Sequence, residues 1–137
     1  MLAEIAISNL GVISHASAEL SPGLTVLTGE TGAGKTMVVT GLRLLTGGRA
    51  DASRVRTGSD GAVVEGAFST GGLPEDAVGD VRDIATAAGA DADENGEYLV
   101  SRSVKASGRS SAHLGGRKVP AATLGELASH LLTIHGQ

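Results

Sequence analysis

Residues Gly29, Glu30, Thr31, Gly32, Ala33, Gly34, Lys35 and Thr36 follow one another in the order G-x-x-x-x-G-K-[ST]. Each type at that spacing has a use. Glycines let successive backbone N–H groups turn inward and form a nest for phosphate oxygens, with no Cβ in the way. A helix that opens directly afterwards adds its own unpaired N–H groups and the positive end of its dipole. Lys35 supplies a mobile cation for the β- and γ-phosphates, and the Thr36 hydroxyl is a hard oxygen ligand suited to Mg²⁺. The chemistry implied is the binding of a nucleoside triphosphate with Mg²⁺ in a P-loop.

Such a loop needs a strand before it and a helix after it, and the flanking residues supply both. Leu24 to Thr28 is a short apolar, β-branched run that enters the loop, preceded by the turn residues Ser21-Pro22-Gly23. From Lys35 the period changes: Val38, Leu42 and Leu45 share a helical face, and Gly47-Gly48 stop the helix. Gly41 inside it costs about 1 kcal/mol relative to alanine, which close packing of that turn would explain. Upstream, Ile5 and Ile7, then Ala16, Ala18 and Leu20, alternate as two antiparallel strands. Downstream come a polar loop over 49–61, a strand over 62–68 and a helix opened by Pro74, Glu75 and Asp76 and closed by Gly89. A strand over 98–104 and two shorter ones follow, punctuated by Ser107-Gly108 and Gly115-Gly116. Thr123 and Glu126 read as a capping box for a last helix with Leu124, Leu127 and Leu131 inward.

The bulk composition suits one globular domain. The chain has 137 residues, 41% of them hydrophobic and 19% charged. Phe68 and Tyr98 are its only aromatic residues, so aliphatic side chains must fill the core. It has no cysteine, which excludes disulfides and thiolate zinc sites. The N-terminus lacks the basic and apolar regions of a signal peptide, and no apolar run has the length of a membrane span. The expectation is a cytoplasmic protein without membrane contact.

The net charge of −4 is unevenly spread. Residues 75–97 carry eight acids and one base, whereas Arg102, Lys105, Arg109, Arg117 and Lys118 fall in a stretch with no acid. That basic segment reads either as a DNA-phosphate contact or as a solvated hairpin kept soluble by its charge. Arg49, after the two glycines, is placed to approach nucleotide or a partner, or simply to sit in solvent. His15, His113, His130 and His135 form no set with zinc-ligand spacing.

Hydrolytic machinery is not evident. No hydrophobic strand ends in Asp-Glu, since Ala62-Val-Val-Glu65 is short and lacks the aspartate. No N-K-x-D guanine-reading motif occurs, and Asp76-Ala-Val-Gly79 lies in an amphipathic helix, which argues against a small GTPase. A non-catalytic module that uses nucleotide or a basic face to bind partners is the alternative reading.

With these residues in view, the chain resembles the N-terminal head segment of ATPases of the structural-maintenance-of-chromosomes (SMC) group, ABC-type enzymes that include bacterial DNA-repair proteins. The likeness rests on Ile7-Ser-Asn-Leu-Gly-Val-Ile13, on the P-loop spelled with Glu30-Thr31 and followed by Leu44-Leu-Thr-Gly-Gly-Arg-Ala50, on Gly108-Arg-Ser-Ser-Ala-His-Leu-Gly115, and on Ile134-His-Gly-Gln137. Thr36 stands where the group usually has serine. The resemblance implies an α/β lobe of ABC/SMC head type, with antiparallel strands beside a P-loop strand–helix core. It implies that residues 1–137 are the N-terminal part of the head, ending at the Q-loop, where Gln137 would reach Mg²⁺ and the attacking water. It also implies coiled-coil arms, a C-terminal lobe with the signature motif and Walker B acids, a second head as homodimer partner, and DNA at the bacterial nucleoid. The work implied is recombinational repair of double-strand breaks.

Overall fold

The computed structural model describes residues 2–21, 24–28, 40–70, 74–94 and 96–131. Seven strands form one antiparallel sheet: β1 (Leu2–Leu10), β2 (Ile13–Ser21), β3 (Leu24–Thr28), β4 (Gly61–Ser69), β5 (Glu97–Lys105), β6 (Ser110–Leu114) and β7 (Arg117–Val119). Their order is β3-β2-β1-β4-β5-β6-β7. Helical residues 40–45, here α1, lie where the sequence expects the end of the helix after the P-loop. α2 (Glu75–Ala87) and α3 (Ala121–Leu131) complete the fold.

Alternation decides which residues meet. Ile5, Ile7, Val64, Val100, Val104 and Leu114 are buried and form one core with Leu44 and Leu45 of α1, Val81 and Ala85 of α2, and Leu124 and Leu127 of α3. The two aromatic residues stand opposite each other across β4 and β5, Phe68 against Tyr98, and both are buried. Cross-strand aromatic pairs of this kind stabilise a sheet beyond their buried area. Residues one step out of phase, among them Val63, Glu65 and Leu99, are exposed.

Gly41 has the packing role expected of it. A Cβ there would stand 3.1 Å from Ile7 Cδ1 and 3.3 Å from Val64 Cγ1, so α1 rests almost directly on β1 and β4. The helix then ends in a Schellman turn: Gly48 N–H donates to Arg43 O (2.7 Å) and Gly47 N–H to Leu44 O (3.2 Å), with Gly47 at φ +88°. Gly89 ends α2 in the same way, with Ala90 N–H donating to Ala85 O at 2.8 Å.

α3 corrects one expectation. It begins at Ala121, directly after Pro120, and Thr123 N–H donates to Pro120 O at 3.0 Å. Thr123 therefore lies in the first turn and is not the N-cap. The fixed φ of proline starts this helix in place of the expected Thr–Glu box. The polar loop over 49–61 also has more order than its composition suggests. A 3₁₀ turn spans Ala52–Arg54, Leu10 bridges Val55, and the Gly11 and Arg56 amides donate to Arg54 O and Asn9 O. The β1–β2 hairpin thus holds this loop against the end of the sheet.

Candidate functional site

The P-loop residues Gly29, Glu30, Thr31, Gly32, Ala33, Gly34, Lys35 and Thr36 lie outside the described residues, as does Gln137. Their flanks are described. β3 pairs with β2 from Leu24↔Ser21 to Thr28↔Ser17, so the strand that enters the loop is hydrogen-bonded to its end. α1 is packed against β1 and β4 and closed by the Schellman turn. Along the chain, β3 ends directly before the loop and α1 follows it at residues 40–45. The donor set of glycine amides, one ammonium and one hydroxyl suits a triphosphate and a hard cation.

The five bases expected to act together are divided by the fold. Arg102 is a correction: it is only 3% exposed, on the inner face of β5 between Val100 and Val104. Its Nη1 donates to Leu44 O at 3.0 Å and to Gly48 O at 2.9 Å. Burial lowers its pKa from the ordinary arginine value, though an arginine remains charged at neutral pH. A guanidinium enclosed in this way cannot meet DNA.

The other four bases are exposed but lie at two ends of the sheet. Lys105 and Arg109 flank the tip of the β5–β6 hairpin, where Lys105 N–H donates to Arg109 O at 2.7 Å. Arg117 and Lys118 begin β7 at the other end of β6. At about 3.4 Å per residue, the length of β6 separates the two pairs by roughly 17 Å.

Folding gathers other cations beside the hairpin tip. Arg43, Arg49 and Arg54 line a cleft of about 510 Å³ together with Thr40, Asp51 and Gly108. Asp51 is its one carboxylate, and it is engaged: it accepts from Ser53 Oγ at 2.7 Å and Ser53 N at 3.0 Å. Those hydrogen bonds, the side-chain one foremost, hold its pKa below the usual value, with Arg54 and Arg49 contributing. Arg43 and Arg54 escape a reading of the sequence because they lie more than fifty residues from Gly108; only the fold brings them to it.

A larger cavity, about 600 Å³, lies elsewhere, lined by Glu4, Glu65, Leu99, Ser101 and His113. Glu65 is exposed, out of phase with Val64, whose side chain faces α1. This phase turns Glu65 away from the helix. Among the described residues no cluster of His, Cys, Asp and Glu could hold a metal, and no helix is long and apolar enough to cross a membrane.

A family model described as an AAA domain matches residues 4–116. The chain is 57% identical over its whole length to the DNA repair protein RecN of Mycobacterium leprae, of which it covers 23%. It is 59% identical over 131 residues, 96% of its length, to the DNA repair protein RecN of Streptomyces coelicolor, of which it covers 22%. It thus spans less than a quarter of the length of either relative. Among solved structures it is similar to the Smc head domain with an extended coiled coil from Pyrococcus furiosus. The TM-score is 0.67 at 18% identity, covering 95% of this chain and 33% of that one. The fold is similar to that of part of an Smc head domain.

Proposed function

Because the chain belongs to the AAA domain family, we propose that it is the ATP-binding lobe of an SMC-like ATPase that acts in DNA double-strand break repair. The observation that carries this is that β3 ends at Thr28, directly before residues 29–36, and that α1, which follows at 40–45, has its far end tied down by a buried arginine. In the complete protein, Lys35 and the loop amides would bind the phosphates, and Thr36 would hold Mg²⁺. Mg²⁺ would neutralise charge that develops on the phosphates during transfer. Gln137, a C-terminal lobe and a second head would complete the site, with the coiled coil joining the lobes.

This division of labour sets an expectation for residues 1–137 alone. Phosphoryl transfer needs a positioned water and a carboxylate-held metal as well as a cradle. Glu65, the nearest thing to such an acid in the sequence, is turned away from α1. Purified residues 1–137 should therefore give no steady phosphate release, whereas the complete protein hydrolyses ATP. Release by the isolated chain that Lys35→Ala abolishes would contradict the proposal.

DNA, in this reading, meets Lys105 and Arg109 together with Arg43, Arg49 and Arg54, since these surround one end of the sheet. Each phosphate neutralised contributes a log–log salt slope of about −0.9. Changing Arg49, Arg54 and Arg109 to glutamine in the complete protein should flatten the slope and weaken binding equally on any sequence. The pair Arg117→Gln and Lys118→Gln should leave both nearly unchanged. The reverse pattern in salt-titrated binding would move the contact to β7.

A further inference from the structure

Among the described residues Arg102 is the one buried charged or polar side chain. The β-sheet does not need it there. Its neighbours on the same face, Val100 and Val104, are aliphatic, and a strand in this phase would ordinarily carry a third apolar side chain between them. What distinguishes this guanidinium is the pair of groups it holds. Leu44 O belongs to the last turn of α1, and Gly48 O lies just past its Schellman turn. A cation at that point meets the negative end of the helix dipole. It also secures the residue directly before Arg49, from which the loop lining the arginine cleft departs.

We infer that Arg102 is a positioning residue for nucleotide binding: it pins the far end of the P-loop helix to β5. This rests on the ATP-binding reading above. In sequence, α1 follows the loop that carries Lys35 and Thr36 after three residues. A helix fixed at its C-terminal end presents the amides at its N-terminal end in one place, so the phosphates meet a formed cradle. Gly41 lets α1 lie flat on β1 and β4 but offers no polar contact to stop the helix sliding along them. The two hydrogen bonds of Arg102 provide that stop. The same bonds fix the start of the 49–54 loop, so helix and arginine cleft keep one relative placement.

The test uses the complete protein and calorimetric titration with ATP and Mg²⁺, alongside thermal unfolding. Arg102→Met fills the volume and removes both hydrogen bonds, and should raise Kd about tenfold. Val81→Ala, a buried truncation in α2 that touches neither hydrogen bond of Arg102, serves as a destabilised control and should leave Kd within about twofold. Arg102→Lys keeps the cation with fewer donors and should fall between the methionine variant and wild type. If Arg102→Met fails to fold, Arg102→Lys decides: at least a threefold loss of affinity supports the role, and wild-type affinity overturns it. Equal Kd shifts for Arg102→Met and Val81→Ala, or no shift in either, would reduce Arg102 to a structural anchor. Lys35→Ala separates the two levels. If it weakens binding and Arg102→Met does not, only this inference falls; if neither does, the ATP-binding reading falls with it.

Discussion

Lys35→Ala is expected to raise the Kd for ATP·Mg²⁺ roughly 30- to 150-fold, since a charge-assisted hydrogen bond contributes about 2–3 kcal/mol. Lys35 is the only side-chain cation in residues 29–36, and no other residue of the loop can take over its charge. The loop amides would remain, so weak binding should persist. Titration calorimetry on the complete protein would measure the difference, and equal affinities would remove the assignment.

Gly47→Ala should be strongly damaging. Gly47 has φ +88°, a conformation that costs an L-residue about 1–2 kcal/mol. Its new Cβ would also stand 2.8 Å from Ala121 O and 2.9 Å from Gly125 N, both backbone atoms of α3. Rotating a side chain cannot relieve that overlap, so α1 and α3 would have to separate. The expected cost is on the order of 3 kcal/mol or more. Gly58 provides the comparison, because it has φ +89° and a Cβ added there would meet nothing within 4 Å. Gly58→Ala should therefore show the strain alone. Denaturation of the two variants side by side would give the difference, and equal midpoints would mean that the α1–α3 contact yields easily.

The comparison of Gly47 with Gly58 also marks what a sequence can disclose. The Gly47-Gly48 stop and the close packing of Gly41 are legible because helix periodicity and glycine chemistry are local. The α3 helix on which Gly47 bears is not, since it lies more than seventy residues away in the chain. Arg102 is misplaced by sequence for a related reason. A run of bases counted along the chain ignores the period of two, which sends alternate strand residues to opposite faces. The signal is present: Val100, Arg102 and Val104 share one phase, and that phase is the apolar one. Thr123 reads as a cap by its spacing to Glu126, although Pro120 is the stronger start. The arginine cleft cannot be read at all, because the fold of the 49–54 loop brings Arg43 and Arg54 together with Gly108.

The central claim is that triphosphate binds at residues 29–36, at the head of a helix held from behind. Hydrogen exchange of the complete protein with and without ATP and Mg²⁺ tests it most directly, because backbone amides are the proposed ligands. Slowed exchange should concentrate in peptides covering residues 29–36 and extend into 40–48, where α1 and its Schellman turn lie, and Lys35→Ala should largely remove it. Protection confined to other segments, with residues 29–36 exchanging as fast as in the free protein, would contradict the account.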